Sequence, residues 1–344
     1  MEQTQEEGGG KPAAVVAVLG AGSYGTALAI QFARNGHATL LWGRDATALA
    51  EMERVRVNTR YLPDCPFPEK LHAVSDLPAA LTQATDIVIA LPSHAVRETL
   101  RQLKPLLRRE QHLACAAKGF ENDTGKLMHE VFAEELGRRR AIAIISGPTF
   151  AKEVGRGVPT AVTVASRDMR LAERFAEYLH GQGFRAYTSD DVIGVEVGGA
   201  VKNVLAIGVG AADGLGAGAN TRALMITRGL AEMMRLSQAL GGKRDTMIGL
   251  AGLGDLVLTC TDNQSRNRRM GLLLAGGKSV DEAQKEIGQV VEGVRVAPEV
   301  RRLAQRHQLE MPISEMVYRV LYEGLPPTIA AHILKERPLR AESN

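Results

Sequence analysis

Gly20-Ala21-Gly22-Ser23-Tyr24-Gly25 follows an apolar run at 13–19 and opens a helical pattern at 26–34. The order is strand, glycine turn, helix. In such a turn Gly20 permits the tight reversal, Gly22 lets backbone approach a pyrophosphate, and Gly25 lets the helix pack closely on the strand. The pyrophosphate would rest on the helix N-terminus, where unpaired backbone N–H groups and the helix dipole favour negative charge. A bare glycine pattern is a weak signal. Its position between a strand and a helix near the start of the chain predicts a dinucleotide site.

The second strand, at 39–42, should end beside the adenosine ribose, and Gly43-Arg44-Asp45 follows it. An acidic residue about 20 positions past the turn would bond the ribose 2′-hydroxyl, whereas an arginine accommodates a 2′-phosphate. Arg44 stands at that distance and favours NADPH. A small rotation of the loop would present Asp45 instead, and the plainer role for Arg44 is a solvated loop side chain.

At 344 residues the chain can hold two domains with sizeable cores. Its 42 basic and 39 acidic residues give a net charge of +3, which offers no general argument for nucleic acid. Arg138-Arg139-Arg140 reads as a solvated helix end. Cys65, Cys115 and Cys260 are odd in number and widely spaced, so they suggest reduced thiols in the cytoplasm rather than disulfides or a metal site. No apolar stretch is expected to span a membrane, and the polar, glycine-rich residues 1–12 read as a disordered tail rather than a signal peptide.

Apolar runs of strand length recur at 86–91, 112–116, 141–145 and 161–164, separated by amphipathic segments. That alternation predicts an α/β fold, a doubly wound parallel sheet with helices on both faces. Ligands bind outside the carboxyl ends of such strands, so Lys118 in Ala117-Lys118-Gly119 should project towards the cofactor cleft. His94 has a similar placement but, following Pro92-Ser93 at a helix start, reads as a structural or capping residue. Ser146-Gly147-Pro148-Thr149-Phe150-Ala151 has small residues where backbone would come near a ligand, or is a plain turn into a helix.

Past about residue 189 the β-branched alternation fades, and long stretches rich in Ala, Leu, Gly and Met at helical spacing continue to the end. A second, all-helical domain is expected, with the boundary at 190–194 and a long helix at 195–211. This helix carries Glu196, Lys202 and Asn203 among small and apolar residues. Burial costs an ammonium heavily and lowers its pKa towards the range useful for proton transfer; a lysine snorkelling to water fits the spacing equally well. Asn220-Thr221 is expected to cap the following helix, at 222–240. Asp255 lies in an apolar stretch, where it should hold a cation or a donor in place. Ser265-Arg266-Asn267 offers a hydroxyl, a guanidinium and an amide in succession, a plausible phosphate clamp or simply a polar loop entering a helix.

Taken together, Gly20 to Gly25, Asn58 to Pro63 with Tyr61-Leu62-Pro63, Lys118-Gly119, Ser146 to Val154, Glu196 to Asn203, Gly249 to Thr261 and Ser265 to Arg269 resemble the bacterial type of NAD(P)-dependent glycerol-3-phosphate dehydrogenase over nearly the whole chain. The resemblance implies an N-terminal Rossmann-type domain, taken as 13–192, and a C-terminal helical domain, 193–340, as in 6-phosphogluconate dehydrogenase-like proteins. It implies reversible reduction of dihydroxyacetone phosphate to sn-glycerol 3-phosphate, for phospholipid synthesis, by a cytoplasmic homodimer without metal. Lys202 would exchange the proton, Lys118 would polarise the carbonyl, and Asp255 would orient both. Ser265, Arg266 and Asn267 would hold the substrate phosphate, with Gly147, Thr149 and Asn203 completing the pocket. Ser23, Tyr24, Arg44, Lys118, Ala151, Arg266, Val290 and Glu292 would join the glycine turn in holding NADPH, or NADH. Ala219 and His129 depart from the family pattern, where an aspartate and a serine are common.

A hydroxyacid dehydrogenase of the same two-domain type would share the turn and a helix lysine without needing Ser265-Arg266-Asn267. A nucleotide sensor could dispense with Lys118 and Lys202. Both lysines and the clamp are present, which favours the enzyme.

Overall fold

A computed structural model describes residues 14–338; the expected tail at 1–12 and the last residues of the second domain lie outside the described residues. The strands are β1 (Val15–Leu19), β2 (Ala38–Trp42), β3 (Leu71–Val74), β4 (Asp86–Ile89), β5 (His112–Cys115), β6 (Ala143–Ser146), β7 (Thr160–Ala165) and β8 (Phe184–Ser189). Helices α1 (Ser23–Arg34), α2 (Ala46–Val55), α3 (Leu77–Gln83), α4 (Val96–Leu103), α5 (Met128–Leu136), α6 (Ala151–Arg156) and α7 (Met169–Leu179) alternate with them.

The strands form one sheet in the order β3-β2-β1-β4-β5-β6-β7-β8. The order reverses beside β1, the switch point at which open α/β sheets leave a crevice for a ligand. Central strands such as β1 and β4 are buried along nearly all their length, which is why they read as apolar runs, with the buried Asp86 at the start of β4 as the exception. The sheet differs from expectation in two ways. It has two further strands, β3 and β8, both at edges. It is also not wholly parallel, because β7 runs antiparallel to β6, pairing Ile145 with Val164.

Everything after β8 is helical: α8 (Val192–Gly214), α9 (Ala219–Ala239), α10 (Arg244–Met247), α11 (Asp255–Thr261), α12 (Arg266–Ala275), α13 (Val280–Ile287), α14 (Glu292–Arg306), α15 (Pro312–Tyr322) and α16 (Pro327–Lys335). Asp191 starts α8 by accepting the Gly194 N–H at 2.9 Å, and the same carboxylate takes the Thr246 hydroxyl at 2.6 Å. Helices α9, α11, α12, α14 and α15 wrap α8, so it is the axis of this half. Contrary to expectation, α8 is long and apolar enough to cross a membrane, with 23 residues and a mean hydropathy of 1.6, but 89% of that window is buried inside the protein. It is a core helix. A second correction concerns α9: Gly218 is its N-cap, without a side-chain hydrogen bond, and Asn220 and Thr221 lie inside its first turn.

Small residues let α8 and α12 approach backbone to backbone. A Cβ on Gly271 would come within 2.0 Å of the Ile207 carbonyl oxygen, and one on Gly210 within 2.1 Å of that of Arg268. The buried Arg268 guanidinium bonds Asp213, at the far end of α8, at 2.6 Å. On its other side α8 meets a single π-helical turn, Leu250–Gly254, where a Cβ on Gly198 would stand 2.3 Å from the Ala251 carbonyl oxygen. These contacts fix α11 and α12 against α8, and with them Asp255 and Arg266.

Candidate functional site

The glycine turn has the geometry its three glycines foretell. Gly20 adopts φ +129°, and a Cβ there would lie 2.4 Å from the Ala90 carbonyl oxygen. A Cβ on Gly25 would fall 1.9 Å from the Gly20 carbonyl oxygen, whereas around Gly22 nothing lies within 4 Å. Gly22 is also the N-cap of α1 and leaves the helix without a side-chain cap. The turn thus presents an open face with free N–H groups, and it fits a pyrophosphate. Asn58, fully buried, holds it from behind: its amide donates to the Ala21 carbonyl at 3.0 Å and to Thr26 Oγ1 at 2.8 Å.

Beyond β2, Arg44 is exposed, and Asp45 is engaged as the N-cap of α2, accepting the Ala48 N–H at 3.0 Å. A capping carboxylate is poorly placed to bond a ribose hydroxyl, so the arginine is the free group of the pair.

On the same edge of the sheet, Lys118 follows β5 and Gly147 follows β6. Lys118 Nζ donates to the Gly147 carbonyl at 2.8 Å and to Asp255 Oδ2 at 2.9 Å, and stands 5.3 Å from the Tyr24 ring centre. Lys202 reaches the other oxygen, Asp255 Oδ1, from the middle of α8 and donates to Thr259 Oγ1 at 3.0 Å. One buried carboxylate therefore bridges two ammonium groups, one from each half of the chain. Thr259 lies four residues after Asp255 on α11, a spacing that puts both on one face. Tyr24 and Thr149 meet at 3.1 Å between hydroxyls and close the side next to Lys118.

The two lysines do not titrate alike. Burial is the largest influence on Lys202 and, with the like charge of Lys118, outweighs Asp255, so its pKa falls from 10.5 to about 8. Burial also weighs most on Lys118, but Asp255 and Tyr24 more than offset it and its pKa is raised. A buried lysine near neutrality beside a permanently charged one can move a proton while its neighbour holds charge. The snorkelling alternative for Lys202 fails, since its side chain is only 8% exposed and its ammonium faces Asp255.

The Ser265-Arg266-Asn267 stretch lies at the start of α12. Ser265 is the N-cap, accepting the Arg268 N–H at 3.1 Å, which leaves its O–H free to donate. Arg266 gives one N–H to Gln289 at 3.3 Å, and burial above all holds its pKa below the usual value. Asn267 is more committed than its place in a clamp suggests. Its amide donates to Asn203 Oδ1 at 2.8 Å and accepts the Gly293 N–H at 2.9 Å, tying α12 to α8 and α14. Asn203 in turn donates to the Gly199 carbonyl at 3.1 Å. Val290 and Glu292 are half-buried at the start of α14, and Ser93 Oγ lies 3.5 Å from Glu292 Oε2. Ala151 opens α6 and packs on the core of the sheet half.

Asn58, Ser93 and Thr259 had no role assigned from the sequence, nor did the pair formed by His129 and Glu196. The His129 ring meets the buried Glu196 carboxylate at 2.5 Å, and the His129 N–H reaches its other oxygen at 2.8 Å, pinning α5 to α8. Among the described residues, no group of three or more His, Cys, Asp or Glu side chains could hold a metal ion.

Comparison with known proteins agrees on one family. Residues 15–172 match the model for the N-terminus of NAD-dependent glycerol-3-phosphate dehydrogenase, and 191–332 that for its C-terminus. Glycerol-3-phosphate dehydrogenase [NAD(P)+] of Shigella boydii is 54% identical over 330 residues, 96% of this chain and 97% of the relative. The crystal structure of glycerol-3-phosphate dehydrogenase from Coxiella burnetii, 50% identical, superposes with a TM-score of 0.91 over 94% of this chain and 99% of that one. The yeast (Saccharomyces cerevisiae) glycerol-3-phosphate dehydrogenase, at 27% identity, gives 0.81 over 95% of this chain and all of its own.

Proposed function

The chain belongs to the NAD-dependent glycerol-3-phosphate dehydrogenase family, and from that premise we propose how its own residues perform the reaction. The enzyme reversibly reduces dihydroxyacetone phosphate to sn-glycerol 3-phosphate with NAD(P)H, NADPH being the expected cofactor.

The observation that carries our assignment of roles is the Lys118–Asp255–Lys202 bridge. When bound, the reduced nicotinamide supplies the hydride for the substrate carbonyl carbon. Lys202 donates the proton to the developing alkoxide and takes it back in the oxidative direction; a pKa of about 8 suits it to both. Lys118, held charged, polarises the carbonyl. Two ammonium groups facing one carboxylate leave the cluster net positive where an oxyanion develops, and Asp255 and Thr259 keep both donors oriented beforehand.

Arg266 holds the substrate phosphate with its remaining N–H groups, helped by the Ser265 hydroxyl and the N-terminus of α12. Asn203 and Asn267 form the wall of that pocket, with Gly147 and Thr149 opposite. The phosphate is remote from the reacting carbon, so its binding positions the carbonyl without taking part in chemistry. The cofactor lies along Gly20, Gly22 and Gly25 with Ser23, Tyr24, Lys118, Ala151, Arg266, Val290 and Glu292, and Arg44 meets the 2′-phosphate. In this division residues 13–192 supply most of the cofactor site and 193–340 most of the substrate site, each lending a few groups to the other. The family resemblance further supports a cytoplasmic homodimer supplying glycerophospholipid synthesis.

The test is to mix purified protein with dihydroxyacetone phosphate and follow oxidation of NADPH and NADH separately. Turnover faster with NADPH supports the roles of the bridge and Arg44. A folded protein that binds NADPH yet turns over neither cofactor would sink them.

A further inference from the structure

Two guanidinium groups and an imidazole, from three separate elements, converge beside the glycine turn with no part in the bridge. Arg44 lies just past β2, and His94 sits in the 3₁₀ turn Ser93–Ala95 just past β4. Both strands pair with β1, one on each side, at Leu19. At a strand spacing of about 4.8 Å, the ends of β2 and β4 flank the turn across about 10 Å. Arg295 comes from the other half of the molecule. It stands in the first turn of α14, whose Glu292 meets Ser93 and whose Val296 Cγ2 lies 3.4 Å from where a Cβ on Gly119 would be.

All three side chains are exposed, and among the described residues none makes a hydrogen bond or ion pair with a protein group. Both arginines nevertheless act on His94: after the larger effect of partial desolvation by its neighbours, their charges hold its imidazole below the usual pKa. Arg295 also acts on Glu292, which it shares with Arg266, and on the Tyr322 hydroxyl. Unpaired positive charges gathered at a cleft raise the local concentration of an anion.

The pyrophosphate does not account for them, because the uncapped N-terminus of α1 already supplies its donors. The remaining anion that this cofactor class offers is the phosphate on the adenosine 2′ oxygen, next to the end of β2. We propose that Arg295 and His94 join Arg44 as a three-sided receptor for the 2′-phosphate of NADPH, so that the helical half of the chain shares in choosing the cofactor. This rests on the reading of the glycine turn as the cofactor cradle and of Arg44 as facing the adenosine ribose.

Calorimetric titration with adenosine 2′,5′-bisphosphate and with adenosine 5′-monophosphate separates the 2′-phosphate from the rest of the ligand and does not depend on turnover. Arg295→Ala should weaken the bisphosphate about tenfold relative to the monophosphate, the loss of roughly one charge-assisted contact. His94→Gln should act in the same direction by a smaller factor, and the NADPH-to-NADH ratio of kcat/KM should fall with both. If Arg295→Ala weakens the two nucleotides equally, or neither, the receptor is not three-sided and the proposal falls. A preference that survives Arg295→Ala but disappears in Arg44→Ala overturns the proposal and leaves the reading of Arg44 standing. A preference indifferent to both variants removes that reading as well.

Discussion

Lys202 shows how a single position acquires chemistry from its surroundings. Its neighbours on α8 give it burial, and α11 gives it a carboxylate, so its pKa settles at about 8. Reduction needs the ammonium form; kcat/KM for dihydroxyacetone phosphate should hold below about pH 8 and fall above it. Oxidation of glycerol 3-phosphate needs the free amine and should rise through the same range. Asp255 raises the Lys202 pKa, so Asp255→Asn should move both limbs to lower pH, a shift read directly from pH–rate profiles. Lys202→Ala should lower kcat by about 10³-fold with little change in KM, the usual worth of a placed acid–base group. Arg266→Ala should instead raise the KM for dihydroxyacetone phosphate by about 10- to 100-fold, as expected for lost charged hydrogen bonds, and an unchanged KM would refute the clamp. At this scale much was legible: an ammonium and a carboxylate in apolar stretches each needed a partner. That they are each other's partner is not written in their spacing, since 53 residues separate them, and came only as an implication of the family resemblance. The commitment of Asn267 to Asn203 escaped notice for the same reason, since adjacency to Arg266 in sequence says nothing about where an amide points.

Among the elements, α8 and α12 carry the precision of the site through glycine. A methyl group on Gly271 has no room against the Ile207 carbonyl, 2.0 Å away, and relief would push α12 and Arg266 outward. Gly271→Ala is therefore expected to cost about 1–3 kcal/mol of stability, the usual price of overpacking, measured by denaturant unfolding. Strands were legible in proportion to their burial. The runs giving β1, β4 and β5 are apolar after Asp86 and His112 at the starts of β4 and β5, whereas β3 alternates over four residues with His72 exposed, and β8 exposes Arg185, Tyr187 and Thr188. Such short edge strands resemble loops in composition. The antiparallel β7 was invisible for another reason: apolar patterning records which side chains are buried, not the direction in which a strand runs.

For the whole molecule, the division into a sheet half and a helical half was plain from the change in composition near residue 189, and α8 begins at Val192. How the halves face each other was not written locally. Contacts between them include Ser93 with Glu292, His129 with Glu196, and Gln264 Nε2 with Glu153 Oε1 at 2.8 Å, alongside the bridge itself. Asp255 accordingly does two jobs, joining Lys118 of the sheet half to Lys202 of the helical half while it aligns both for chemistry.

The apolar character of α8 also bears on how the chain is made. This helix leaves the ribosome well before α14 and α15, which cover much of its surface. Until they arrive, the face of this largely apolar helix that they cover stays open even though α9, α11 and α12 are already made, the kind of exposed surface on which nascent chains stick to one another. A chain stopped after residue 290 should therefore collect in the insoluble fraction, while one continued through 338 stays in solution, a contrast visible by centrifuging lysates. Helices that supply no part of the bridge thus decide whether the catalytic lysine ever reaches a dry interior.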